Sequence, residues 1–306
     1  VIRQRTLLNS VSCKGIGLHT GKKVTLTIRP APVNTGIRFI RTDIPERPVI
    51  PVKPENIFDT NRATNISSGK YKVYTIEHLM AAFYGLGIDN AIVEIDAPEV
   101  PAMDGSANPF VFLIQNEAGI KEQSEYKRFI VIKKTFKIEE GDRLILVCPS
   151  KELKIEYTIE FDHPLLRCQS YRFVFSTASF IKEISKARTF GFLDEVERLK
   201  KMGLAKGGSL DNAIVFDKFR VINPEGMRYE DECVRHKILD FLGDLSTLGK
   251  PVIGHFIVRK SGHGLNHIML KKLISLPSYW EEVVPEKKED FSSEIFPVFD
   301  LSFQPY

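Results

Sequence analysis

Twice along this chain a histidine opens an apolar helical stretch that closes on glycine and runs into a strand. In the first copy, Thr75-Ile76-Glu77-His78 leads to Leu79, Ala82, Phe83 and Leu86 at helical spacing. Gly85 and Gly87 punctuate its end, and Asp89-Asn90 turns into the strand 91–95. In the second, the helix from Arg235 to Leu248 carries His236, ends at Gly249-Lys250-Pro251 and enters the strand Val252 to Val258. Helix-glycine-strand is a common order, so a repeat is a hypothesis. If it holds, two copies of one α/β unit each offer a histidine where the halves meet. Alternation predicts further strands at Val24 to Arg29, Ile37 to Arg41, Phe129 to Lys134 and Leu153 to Phe161, and helices at roughly Ala178 to Lys186 and Asp194 to Met202. The expected fold class is α+β: two related two-layer α/β sandwich domains with the active site between them. With 306 residues, two domains are reasonable. We place them at 1–122 and 128–273, with the second half of the polar stretch Asn116 to Arg128 as the linker and 274–306 as a C-terminal extension. The phenylalanines of the tail, Phe291, Phe296, Phe299 and Phe303, are expected to pack on the body.

His236 and Asp240 are four apart, so a helix puts a nitrogen and a carboxylate on one face. Alone, that pair is as well explained by a hydrogen bond on a helix surface. With His78 it makes three ligands, the number a catalytic zinc takes while keeping a fourth position for water. Glu77 is adjacent to one ligand, where a general base could stand. The zinc-protease pattern HExxH is absent.

Composition narrows the partners. There are 43 basic and 39 acidic residues, a net charge of +4, which leaves no nucleic-acid footprint. Hydrophobic residues make up 43%, enough for a core without disulfides. Cys13, Cys148, Cys168 and Cys233 have no CxxC pairing and are expected to be reduced thiols of a cytoplasmic protein. No stretch approaches a membrane span, and the first residues lack a signal-peptide apolar region. Gly207-Gly208 lacks the rest of a Walker pattern, so it is no phosphate cradle by itself.

Further motifs follow in order: His19-Thr20-Gly21, Gly85-Leu86-Gly87-Ile88-Asp89-Asn90, Pro101-Ala102-Met103-Asp104-Gly105-Ser106, Ala187-Arg188-Thr189-Phe190-Gly191, Gly207-Gly208-Ser209, Asn223-Pro224-Glu225-Gly226, Arg235-His236-Lys237-Ile238-Leu239-Asp240 and Ser261-Gly262-His263-Gly264-Leu265-Asn266. From about Arg5 to about Leu273 the chain resembles the UDP-3-O-acyl-N-acetylglucosamine deacetylases, zinc enzymes of lipid A synthesis in Gram-negative bacteria. The resemblance implies Zn2+ held by His78, His236 and Asp240, with Glu77 as general base. It implies His263 as second catalytic group with Asp244 as its partner, and Thr189 as a hydroxyl near the oxyanion. Lys237 and Phe190 match substrate contacts. Phe161, Asp162 and Arg143 fall where the family holds the nucleotide. Leu193, Val196 and Leu199, with Gly208, Ser209, Ala213 and Val215, fall where the family forms an apolar passage for the acyl chain. The implied substrate is a UDP-linked acylated amino sugar, and a monomer is expected.

The residue types suit this chemistry. An acetamide is a poor electrophile, and zinc both polarises a carbonyl and lowers the pKa of water from about 15.7 to about 7. Glu77 can take a proton, and Asp244, one turn beyond Asp240, points the same way. His263 as imidazolium could stabilise the oxyanion or protonate the departing amine. Other histidines have plainer explanations: His255 is flanked by apolar residues in a strand, His267 is structural or superficial, and His19 opens a tight turn that could stand near the site. Rival functions are a zinc hydrolase for another acylated amino sugar and a noncatalytic protein with a structural zinc. The latter usually has four ligands, often cysteines.

Overall fold

The computed structural model describes residues 2–284. The chain opens with β1 (Arg3–Leu7), β2 (Val11–Ile16), β3 (Lys23–Pro30), β4 (Ile37–Arg41) and β5 (Val49–Pro51). Then come β6 (Ile57–Asp59), β7 (Asn65–Ser68), β8 (Tyr71–Val73), helix α1 (Glu77–Leu86), β9 (Ala91–Ile95), α2 (Asn108–Phe112) and β10 (Ile120–Tyr126). The remainder contains β11 (Phe129–Ile132), β12 (Phe136–Glu140), β13 (Arg143–Cys148), β14 (Leu153–Ile159), β15 (Gln169–Val174), α3 (Thr177–Ser179), β16 (Phe190–Phe192), α4 (Leu193–Lys201), β17 (Ile214–Phe216), α5 (Glu232–Ser246), β18 (Val252–Arg259), α6 (His263–Ser275) and β19 (Trp280–Val283). The fold is α+β.

Two large sheets dominate. One has the order β2-β3-β9-β4-β5. The other runs β12-β13-β18-β11-β19, with β14 also on β18 and β15 beyond it. The strands that follow the two histidine-bearing helices lie inside their sheets. Thus β9 is antiparallel to β3 and parallel to β4, and β18 is antiparallel to β13 and parallel to β14. Alternation along β9 and β14 marks their buried faces. One continuous apolar core joins the elements from Leu7 to Leu273.

Helices α1 and α5 pack against each other, and glycine sets how closely. A Cβ at Gly243 of α5 would lie 2.2 Å from the Glu77 carbonyl oxygen. Every residue of α1 is buried. Its end is capped by Gly87 at φ 67°, with the Ile88 N–H on the Phe83 carbonyl, a left-handed stop that glycine tolerates. Gly85 is the closer contact, since a side chain there would strike the Phe180 ring.

The structure departs from the sequence reading in several places. The stretch read as a linker contains β10, which pairs antiparallel with β1, so polar residues there form an exposed strand. The helix expected near 178–186 is a short α turn, Thr177–Ser179, continued by a π-helix, Phe180–Ile184. His236 is not at its helix start, because α5 begins at Glu232. Residues 274–284 end α6 and supply β19, which pairs with β11, so this part of the extension belongs to the second large sheet. The tail phenylalanines lie outside the described residues.

Candidate active site

The chain's paired helices bring three buried groups together. His78 stands in the first turn of α1, and His236 and Asp240 share one face of α5. Asp240 Oδ1 is 3.2 Å from His236 Nε2 and 3.7 Å from His78 Nε2. The candidate ligand atoms all lie within 4.8 Å of one another. His236 Nδ1 faces the Ala187 carbonyl at 3.0 Å, which favours a proton on Nδ1 and leaves Nε2 as the inward lone pair. Asp240 Oδ2 accepts from Lys237 Nζ at 2.6 Å, whereas its buried Oδ1 has no hydrogen-bond donor among the described residues. Burial pushes the His78 pKa down, favouring the neutral ring that a metal needs. Burial works against ionised Asp240, but His236 and Lys237 hold its pKa well below the usual range. Two inward imidazole nitrogens, a buried carboxylate oxygen and a common focus fit a divalent cation such as zinc.

Two more titratable groups face the triad, and both hold their protons more tightly than usual. Glu77 is 3% exposed, and burial raises its pKa to about 7, against the opposing pull of the His263 charge. Its Oε2 accepts from the Thr64 N–H at 3.0 Å. His263 Nε2 stands 3.9 Å from Glu77 Oε1 and 3.9 Å from Asp240 Oδ2. Burial alone would lower the His263 pKa. Asp244, 2.9 Å from Nδ1, outweighs it and lifts the value to about 9. At neutral pH the site therefore offers a carboxylate near its titration point beside an imidazolium.

These groups open into a cavity of about 500 Å³. Thr189, Phe190, Phe161 and Lys237 line it, as do Leu193, Val196, Leu199, Gly208, Ser209, Ala213 and Val215. These lining residues converge because β16 pairs in parallel with β17 and runs straight into α4. The loop after α4 docks on the first turn of the chain, with Gly207 N–H on the Leu18 carbonyl at 3.0 Å. His19 of that turn also lines the cavity.

Not every expected residue joins. Arg143 is outside the cavity lining; it starts β13, exposed, 3.6 Å from Glu140. Asp162 faces a neighbouring pocket that shares Leu193 and Glu195 with the main cavity. Asp244 lies behind His263 rather than on the cavity wall. Sequence reasoning missed Thr64 and Asn266, which both bond to Asp244. It missed buried Arg188, whose Nε bonds Glu232 Oε1 at 2.9 Å and which holds the backbone between Ala187 and Thr189. Arg188 and Asn266 stand inside sequence motifs but received no role there, and Thr64 stands in none, because what each side chain meets is set by the tertiary fold.

By its chemistry, this arrangement is of the kind that metal-assisted hydrolases use, set on an α+β scaffold. A family model described as UDP-3-O-acyl N-acetylglycosamine deacetylase matches residues 4–275, and the chain belongs to that family. It is 53% identical to the UDP-3-O-acyl-N-acetylglucosamine deacetylase of Acidithiobacillus ferrooxidans over 295 residues, covering 95% of this chain and 97% of that protein. It is 52% identical to the protein of that name from Saccharophagus degradans, covering 94% and 96%, and 50% identical to that from Myxococcus xanthus, covering 94% and 91%. Among the described residues, no helix is long and apolar enough to cross a membrane.

Proposed function

We propose that this protein is a zinc-dependent amidohydrolase that removes the N-acetyl group from UDP-3-O-acyl-N-acetylglucosamine, giving acetate and the free 2-amine, a step of lipid A synthesis. The observation that carries this reading is the buried triad with Glu77 and His263 beside it, opening on an apolar cavity. The names of the relatives supply the substrate.

His78, His236 and Asp240 would hold the zinc, which supplies Lewis acidity toward the amide carbonyl. Glu77 takes a proton from the attacking water, and its raised pKa suits a base working near neutrality. Thr189 donates its hydroxyl to the developing oxyanion. His263, kept protonated by Asp244, faces the same point and delivers a proton to the departing nitrogen. Both groups are pushed up, Glu77 to about 7 and His263 to about 9, so near neutrality the first can serve as base and the second as acid. Lys237 offers a cation to the diphosphate, although its bond to Asp240 also ties it to the triad. The wall from Leu193 to Val215 takes the acyl chain.

The test is acetate release by zinc-loaded protein from the UDP-linked acylated sugar, against substrates lacking UDP or the acyl chain. Release should depend on both groups. A metallated, folded protein that releases no acetate, or is indifferent to both groups, overturns the reading.

A further inference from the structure

We propose that Thr64 is a positioning residue that fixes the distance and orientation between the base Glu77 and the His263–Asp244 pair. The inference rests on the functional reading above, in which Glu77 and His263 do the chemistry.

Thr64 lies just before β7, is 1% exposed and touches every part of the acid–base apparatus. Its backbone is clamped to the start of α1. Its carbonyl accepts the Ile76 N–H at 3.1 Å, and its own N–H donates to Glu77 Oε2 at 3.0 Å. Its side chain reaches the other helix, where the hydroxyl donates to Asp244 Oδ1. The Thr64 Oγ1 itself stands 3.2 Å from His263 Nδ1. One residue thus connects the base on α1, the carboxylate on α5 and the imidazole on α6.

The remaining bonds show what the hydroxyl does. Asp244 Oδ2 is occupied by His263 Nδ1 at 2.9 Å and by Asn266 Nδ2 at 2.8 Å. Asn266 is itself held, with its Oδ1 accepting from the Ser261 hydroxyl at 2.6 Å. His263 Nδ1 is also 3.1 Å from Asp244 Oδ1, the oxygen that Thr64 binds. Without the hydroxyl, Oδ1 keeps only the longer contact to His263 Nδ1, and the carboxylate is less firmly held against turning about its Cβ–Cγ bond. The ring then loses the fixed orientation that aims Nε2 at the cavity. A hydroxyl in a buried network is costly to remove because its partner stays desolvated. Partners of this indirect kind are typically worth about 10- to 100-fold in activity.

The experiment compares Thr64→Val, which keeps the shape and drops the hydroxyl, with Thr64→Ser, which keeps the hydroxyl. Both are measured as zinc-loaded full-length protein, alone and in an Asp244→Ala background. The expected result is that Thr64→Val loses about 10- to 100-fold in kcat with little change in KM or zinc content. Thr64→Ser should recover most of that loss. In the Asp244→Ala background, Thr64→Val should cost little more, because residues that act as one unit are non-additive. Wild-type kcat in Thr64→Val, equal losses in the Val and Ser variants, or losses that multiply with Asp244→Ala would each overturn the proposal. If Thr64→Val does not fold, Thr64→Ala against Thr64→Ser carries the same comparison. Glu77→Gln and His263→Ala serve as controls on the underlying function. Full activity in those two would sink the functional reading, whereas full activity in Thr64→Val alone sinks only the positioning role.

Discussion

Replacing His78, His236 or Asp240 by alanine should lower zinc content and turnover together. Each supplies one atom to a focus within 4.8 Å, and Asp240 Oδ1 has no donor to fall back on among the described residues. The loss should exceed the roughly 10- to 100-fold typical of outer-shell partners. Stoichiometric zinc with normal kcat in any one variant would remove that residue from the ligand set. Glu77→Gln should instead keep the metal and lose about 10²–10⁴-fold in kcat, the usual worth of general-base catalysis. Zinc loss in that variant would make Glu77 a support for the metal. The pH profile follows from the signs of the two shifts. In the proposed mechanism Glu77 acts deprotonated and His263 protonated, so kcat/KM should rise with pH through the Glu77 pKa of about 7. Above about 9, where His263 loses its proton, the rate should fall. A nearby divalent cation favours the deprotonated form of both groups, so the loaded protein should show both limbs at lower pH. An alkaline limb that survives unchanged in His263→Ala would rule out His263 as its source. At this scale the sequence was informative where chemistry-bearing types cluster, as in Glu77-His78 and His236-x-x-x-Asp240. It was silent on Thr64 and Asn266, whose partners are set by tertiary approach.

Gly243 shows how an element controls the site. Alanine is better than glycine in a helix interior by roughly 1 kcal/mol. Here a Cβ would meet the Glu77 carbonyl at 2.2 Å, with backbone on both sides and no flexible end to yield. Overpacking ordinarily costs about 1–3 kcal/mol, so the clash should outweigh the propensity gain. Gly243→Ala should therefore lower stability in a denaturant melt and weaken zinc binding, because α1 carries His78 and α5 carries Asp240. Wild-type values for both would mean that the helix spacing is not set there. On the passage, Gly208→Leu places a Cβ 3.3 Å from the Ala205 carbonyl and 3.7 Å from Leu18 Cδ1, a fit that asks only tenths of an ångström. It should keep fold and zinc while cutting activity on a long acyl chain far more than on a short one. Equal losses would mean the wall is not the acyl passage. The helix α5 and the strands β3, β9 and β14 were legible because one face of each is apolar at a clear period, and α1 and β18 because their apolar runs end or begin at glycine-marked turns. Strands such as β10 were not, since their exposed polar residues look like loop.

Across the whole molecule, the triad joins segments far apart in the chain, and sequence alone offered no register by which α1 and α5 would meet. The helix-glycine-strand echo pointed to two similar settings for the histidines, and each following strand is indeed interior to its sheet. What placed Asp240 Oδ1 between His78 and His236 was close packing through Gly243, visible only in three dimensions. A metal held by His78, His236 and Asp240 would cross-link α1 and α5. A ligand that binds only the folded state stabilises it by about 2.7 kcal/mol at a free concentration of 100 Kd. With roughly 2–4 °C per kcal/mol for a chain near this size, chelation should lower Tm by roughly 5–10 °C. Restoring zinc should reverse the shift. The Asp240→Ala variant, with the cross-link already broken, should show almost no difference between chelated and zinc-supplemented samples. The measurement is a thermal melt of both proteins at matched protein concentration. A wild-type Tm that ignores the chelator, with zinc shown to have been removed, would mean that the triad is held by α1–α5 packing alone and that the metal adds nothing to the stability of the fold.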